Sequence, residues 1–254
     1  MSAQLRYAGK VVLVTGGASG LGAACCDRLA GEGGRLAILD LDPVAAERVA
    51  APLRARGSEV LVLGCDVTDA SAVEKALNGM AAHYGRIDVA VNNAGIAGVL
   101  TPVHEYPLDT WNRVLAVNLT GVFHCVRVQI PIMLRQGGGV IVNMASILGT
   151  VAFPGASAYA AAKHGVIGLT RSAALEYGPA NIRVNAVCPS FIQTPLTLGP
   201  IPPGETWDTL AAMHALKRCA RPEEIATAVA YLGSDEASYV NGAVHVVDGG
   251  YTAA

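Results

Sequence analysis

Short, nearly continuous apolar runs recur along this chain at regular intervals, each followed by a stretch with helical spacing. That alternation narrows the folds open to the chain more than any other feature. The runs are Val11–Thr15, Arg35–Asp40, Glu59–Asp66, Ile87–Asn92, Val140–Ser146, Arg183–Pro189 and Ala243–Asp248. The helical stretches are Gly20–Glu32, Pro43–Arg56, Ala70–His83, Leu108–Gln136, Ala156–Tyr177 and Pro222–Gly233. A strand covered by helices on both faces has no polar side to show, so it reads as an unbroken apolar run. Repeated strand–helix units connect by right-handed crossovers, which predicts an α/β fold: a doubly wound parallel sheet of about seven strands. No Pro/Ser-rich linker divides the 254 residues and no repeat exists beyond the alternation, so 1–254 reads as a single domain.

The overall balance closes off several functions. With 52% hydrophobic and 15% charged residues and no polar low-complexity tract, the chain can bury a large core and is not disordered. A net charge of -2 leaves no basic footprint for nucleic acid or for acidic lipid. Runs such as Val60–Leu63 and Val140–Val142 fall far short of the roughly 20 residues a membrane span needs. The opening Met1–Tyr7 lacks the apolar stretch of a signal peptide. Six cysteines (25, 26, 65, 125, 188 and 219) show no metal-ligand spacing and read as buried free thiols of a reducing cytosol. The expectation is a cytoplasmic protein with no metal, no membrane and no nucleic-acid partner.

The first run leads directly into Thr15-Gly16-Gly17-Ala18-Ser19-Gly20-Leu21-Gly22 and then an alanine-rich helix. Glycines in that setting let the backbone turn tightly and approach a pyrophosphate, whose charge rests on the helix N-terminus, as in Rossmann-type dinucleotide sites. Asp40 ends the second run, eighteen positions after Gly22. A carboxylate there accepts hydrogen bonds from the ribose hydroxyls of NAD and repels the 2′-phosphate of NADP. No Lys or Arg lies in the glycine loop, and Leu41 and Asp42 follow Asp40, so NAD is the expected cofactor.

Tyr159 and Lys163 stand four residues apart in a helical stretch, and Ser146 ends the fifth run thirteen residues before Tyr159. An ammonium beside a phenol favours the phenolate, and a nearby hydroxyl orients a substrate oxygen. The three form a general acid/base site for a carbinol proton. Between Thr194 and Lys217, Pro195, Gly199, Pro200, Pro202, Pro203 and Gly204 exclude a regular helix at first, while Thr206–Leu216 suits a short one. A long excursion at the carboxyl end of a parallel strand, carrying Leu196, Leu198, Ile201 and Trp207, reads as a substrate lid over about 194–217.

Together these residues resemble the compact, single-domain, NAD-preferring short-chain dehydrogenases/reductases. The matching segments are Thr15–Gly22, Asp66-Val67, Asn92-Asn93-Ala94-Gly95, Asn118, Ser146, Tyr159 with Lys163, and Pro189 to Thr194, in order along nearly the whole chain. The resemblance implies that Tyr159 is the general acid/base and that Lys163 lowers its pKa and binds the nicotinamide ribose. It implies that Ser146 bonds the substrate oxygen and that Asn118 holds a water of a proton relay. Gly16, Ser19, Gly20, Leu21 and Gly22 would cradle the pyrophosphate. Asp66 and the backbone of Val67 would take the adenine. Asn93 would approach the adenosine ribose, with Gly95 and Pro189 also against the cofactor. Ile192 and Thr194 would receive the carboxamide, and Asn92 would tie strands together. One departure is Ser190, where the family commonly has glycine.

The substrate pocket is expected from residues after Gly95, from Ile147, Leu148, Val151, Phe153, Phe191, Ile192 and Leu196, and from the lid. Apart from Lys217 and Arg218 at the lid's far edge it holds no cation. That composition suits an uncharged, fairly hydrophobic secondary alcohol or its ketone. An NADPH-dependent 3-oxoacyl thioester reductase is the alternative, disfavoured by Asp40. A non-catalytic nucleotide-binding scaffold is the third, disfavoured by the intact set Asn118, Ser146, Tyr159 and Lys163. The ending Asp248–Ala254 resembles relatives that assemble as homotetramers.

Overall fold

The structure, a computed structural model, describes residues 5–198 and 206–253. Seven strands pair in parallel in the order β3-β2-β1-β4-β5-β6-β7. They are β1 (Val11–Thr15), β2 (Arg35–Asp40), β3 (Val60–Gly64), β4 (Val89–Asn92), β5 (Gly139–Met144), β6 (Ile182–Pro189) and β7 (Val244–Val247). The order reverses between β1 and β4, whose register pairs Val12 with Val89 and Thr15 with Asn92. This is the switch point at which open α/β sheets bind ligands.

Both faces of the sheet are covered. Val11 and Leu13 point into one core with helices α3 (Ala70–Tyr84), α5 (Gly121–Arg135) and α6 (Ser157–Tyr177). Val12 and Val14 point into the other, with α1 (Gly20–Gly31), α2 (Pro43–Ala55) and α9 (Pro222–Gly233). Successive side chains of a strand face opposite ways, so burial on both sides is the reason the run is apolar throughout. Each such buried Val or Leu contributes about 1.5–3 kcal/mol.

The expected helix over Leu108–Gln136 is interrupted. It consists of α4 (Leu108–Leu115), a π-helical turn at Ala116–Thr120, and α5. Length and composition alone would let Leu108–Arg135 cross a membrane, yet more than half of its most apolar window is buried inside the protein. Its hydropathy reflects the face packed on the core.

Strand ends differ by a few residues from expectation. β5 stops at Met144, so Ser146 lies past the sheet, capping a 3₁₀ turn at Ile147–Gly149. In the segment expected to form a lid, α7 (Pro195–Leu198) and α8 (Trp207–Ala212) are short. The intervening 199–205, with Ile201 and most of its prolines, lies outside the described residues.

Candidate active site

The glycine loop has the shape of a phosphate cradle. Gly16 and Gly20 adopt φ of +65° and +51°, values that side chains rarely tolerate. A Cβ on Gly22 would lie 2.0 Å from the Gly16 carbonyl oxygen. Ser19 precedes α1 with its side chain making no capping bond, and the first turn carries no acid. The helix N-terminus is thus left to an external anion. The Asp40 carboxylate accepts from the Ala18 N–H at 2.9 Å and the Asp42 N–H at 3.0 Å, which fixes it at the rim. Asn93 donates to the carbonyls of Thr15 and Gly16 at 3.1 and 3.0 Å, locking β4 to the loop. Asp66 is exposed and accepts from the Thr68 N–H and hydroxyl, both at 2.8 Å.

These groups border one cleft of about 740 Å³ at the carboxyl ends of the strands. Every residue expected against the cofactor, from Gly16 and Ser19 through Pro189, Ile192 and Thr194, lines it, as do Ser146, Tyr159 and Lys163. The cradle, the rim carboxylate and the cleft's extent fit a dinucleotide.

Asn118 does not line the cleft. It is fully buried on the π turn, where its amide donates to the Ile96 carbonyl at 2.7 Å and accepts from the Ile96 N–H at 2.8 Å. Its side chain clamps the loop after β4 with one N–H and one oxygen lone pair engaged. Asn92 makes a purely internal chain: it bonds Gln129 and Asn143, and Asn143 donates to Thr170 at 2.9 Å. That network, fully buried, ties β4 and β5 to α5 and α6.

Lys163 is buried, its Nζ 5.5 Å from the centre of the Tyr159 ring and donating to the Met144 carbonyl at 2.7 Å. Burial pulls its pKa down to about 8. Burial pushes the Tyr159 phenol up to about 12, hydrogen bonding to Ser146 pulls the other way, and Cys188 adds to the rise. The protein's own groups therefore hold Tyr159 as the neutral phenol. Lys163 is not among the groups that move Tyr159; burial sets the direction.

The lysine gives a signature in stability. Between pH 8, its folded value, and 10.5, its ordinary one, the unfolded chain keeps a proton that the folded chain has lost. Stability then rises with pH through that window for this group. In denaturant titrations of the cofactor-free protein, Lys163→Met should remove that rise, by about 1 kcal/mol per pH unit. Parallel pH profiles of the two proteins would contradict the buried charge.

A second pocket, about 110 Å³, opens beside Ser146 and Tyr159. Its walls are Ala97–Leu100, Ile147, Leu148, Phe153, Phe191, Leu196 and Leu210, with Ser190 and Thr197 as further polar groups. Two residues expected here lie elsewhere: Val151 is exposed, and Ile192 lines the cofactor cleft instead. No charged side chain is among the described lining residues. Arg218 is held by Glu224 through two 2.7 Å bonds, and Lys217 donates to the Ala212 carbonyl.

Sequence reasoning missed His214. It is buried just past α8, with Nδ1 2.8 Å from the Leu210 carbonyl and Nε2 2.8 Å from the Ser190 hydroxyl. Its ring packs edge-on against Phe191 and Tyr251, and Phe191 packs edge-on against Phe153. The only hint in the sequence was Ser190 itself, a side chain where the resemblance leads one to expect none.

Known proteins resemble this chain along nearly its full length. The family model described as enoyl-(acyl carrier protein) reductase matches residues 16–252. The cis-4-hydroxycyclohexanecarboxylate dehydrogenase of Sinomonas cyclohexanicum is 46% identical over 97% of this chain and 98% of its own. A solved levodione reductase superposes with a TM-score of 0.93 at 41% identity, covering 98% of this chain and 99% of that one. A carveol dehydrogenase from Mycobacterium avium, solved in complex with NAD, gives 0.93 at 32% identity with the same coverage. By sequence and by fold, the chain belongs to the short-chain dehydrogenases/reductases.

Proposed function

We propose that this protein is an NAD-dependent dehydrogenase of uncharged, ring-sized secondary alcohols, acting in reverse as a ketone reductase. The observation that carries this reading is the junction of the two cavities. Ser146 and Tyr159 line both, so an apolar pocket without charge meets the cofactor cleft at an acid/base pair. A cavity of about 150 Å³ admits benzene, so a pocket near 110 Å³ with an open mouth suits a single ring. Relatives named for cyclohexanol, cyclopentanol, levodione and carveol support this choice.

In this reading Ser146 holds the carbinol oxygen and Tyr159 takes its proton, returning it to the oxygen of the ketone in the reverse direction. Lys163 and Thr194 hold the nicotinamide end of the cofactor, and Asp40 holds the adenosine ribose. The bound cofactor supplies hydride transfer at its nicotinamide ring. The positive charge it brings beside the phenol works against the upward push that burial gives Tyr159. Asn118 is assigned the water of the proton relay, for which its amide, bonded once each way to Ile96, keeps a second N–H and a second lone pair.

Asp40 selects NAD over NADP because its fixed carboxylate would face the 2′-phosphate. The same feature disfavours a thioester reductase using NADPH, and the preserved acid/base set disfavours a mere scaffold. Segment 194–217 acts as the lid, with Leu196 and Leu210 against the substrate. Exposed Phe123, Leu134 and Leu175 on α5 and α6, and Val246 on β7, support assembly as a homotetramer, and the free cysteines suit a reducing cytoplasm.

The test is a set of initial rates with NAD and NADP in parallel, across linear, cyclic and aryl secondary alcohols at mildly alkaline pH. The expected result is turnover with NAD, fastest on cyclic members. Asp40→Ser should raise the NADP/NAD ratio of kcat/KM by about tenfold or more. Activity only with NADP overturns the role of Asp40, and silence across the panel overturns the dehydrogenase reading.

A further inference from the structure

The pair Ser190–His214 belongs to no part of the acid/base machinery, yet Ser190 lines both cavities where they meet. Its direction of hydrogen bonding follows from chemistry. The Leu210 carbonyl can only accept, so the ring proton of a neutral His214 sits on Nδ1, 2.8 Å away. Nε2 is then an acceptor, and the Ser190 hydroxyl, 2.8 Å from it, must donate. The serine proton is spent inside the protein. What Ser190 keeps is lone pairs. His214 is in turn immobilised by Phe191 and Tyr251, so the hydroxyl cannot easily turn its proton back toward the pocket.

We infer that Ser190, positioned by His214, is a specificity-determining acceptor that recognises a second hydroxyl on the substrate, so the pocket favours a diol over a mono-alcohol of the same ring. The rest of the wall is almost entirely apolar. Thr197, the other polar wall group, has its hydroxyl engaged with the Ile192 carbonyl and the Thr194 N–H, so a second substrate hydroxyl beside Ser190 loses its water without compensation unless Ser190 accepts its proton. A second oxygen without a proton, an ether or carbonyl, gains nothing from a group that only accepts. This inference rests on the reading of the pocket as a secondary-alcohol site, and it goes beyond that reading by naming which substituent is preferred.

The measurement is binding, by ligand-observed NMR on the whole protein with NADH present, where an alcohol cannot be oxidised. The ligands are the 1,2-, 1,3- and 1,4-cyclohexanediols, their monomethyl ethers and cyclohexanol. At least one diol should bind about three- to tenfold more tightly than its monomethyl ether, the yield of one neutral hydrogen bond. Ser190→Ala should bring that ratio close to one. His214→Phe, which keeps the aromatic packing and removes the acceptor, should lower it too by returning the serine proton to the pocket. If no wild-type diol outbinds its ether, or if the preference survives Ser190→Ala, the inference is wrong. Turnover with NAD is scored separately. A diol preference in a protein that oxidises no alcohol would sink the dehydrogenase reading and leave the role of Ser190 standing.

Discussion

Replacing Tyr159 by phenylalanine should cut secondary-alcohol oxidation by about 10²–10⁴-fold, the range for a positioned acid/base group. NADH binding should stay within a few-fold. The substitution removes one hydroxyl and nothing else: the ring still packs beside Val114, Ala158 and Ala162, and Lys163 still bonds Met144. Loss confined to kcat/KM for the alcohol, with NADH affinity kept, is the pattern of an interaction made only along the reaction. The pH profile carries the second half of the argument. In the wild type the alkaline-favoured limb of oxidation should reflect a phenol whose pKa, about 12 from the protein alone, is brought down when the cationic cofactor binds. That limb should vanish in the variant. Rates within tenfold of wild type would remove Tyr159 from the role of base.

Gly22→Ala carries the largest expected structural effect. The new methyl would stand 2.0 Å from the Gly16 carbonyl oxygen and 2.7 Å from the Asn93 amide nitrogen. Neither neighbour is free to give way. Gly16 is anchored by its N–H to the Leu39 carbonyl at 2.8 Å, and Asn93 is anchored to Thr15 and Gly16. Relief requires the loop to lift from β4, which deforms the cradle and breaks those bonds. We expect a loss of about 3 kcal/mol in urea unfolding, the upper range for overpacking, and at least about tenfold weaker NADH binding. Unfolding and NADH titrations matching the wild type would mean that the turn has another conformation without the clash.

The sheet and the residues that line the large cleft were legible because the features that build them are local. Val11–Thr15 is apolar because both faces are covered, the glycines after it are where the chain must turn, and Asp40 ends the neighbouring strand. Other features depend on contacts between distant segments. Nothing near Asn118 signals that its amide bonds both ways to Ile96, twenty-two residues earlier. The π turn at Ala116–Thr120 inserts no proline, and its periodicity differs from an α-helix by too little to break the apolar pattern. Ile192 is expected both against the cofactor and in the substrate pocket; its bridge to Ala220 accompanies a place in the cofactor cleft alone. His214 meets Ser190 across twenty-four residues of chain and had no motif to announce it.

The reversal of strand order between β1 and β4 bears on how the protein is assembled in time. Strands β1 to β3 come from the first 64 residues and β4 to β7 from residue 89 onward, so the sheet consists of two consecutive sections of chain. One seam, Val12 to Val89 through Thr15 to Asn92, joins them. That seam closes a loop of more than seventy residues, and closures of such separation come late and slowly. The dinucleotide cleft has Asp40 and Asp66 on one side of the seam and Ser146 and Thr194 on the other. A cofactor that fits it binds only molecules in which the seam is shut. At a hundred times its dissociation constant it stabilises them by about 2.7 kcal/mol. Bound dinucleotide thus lowers the fraction of molecules in which the two sections are apart, which makes the cofactor a guardian of the folded enzyme as well as a reactant.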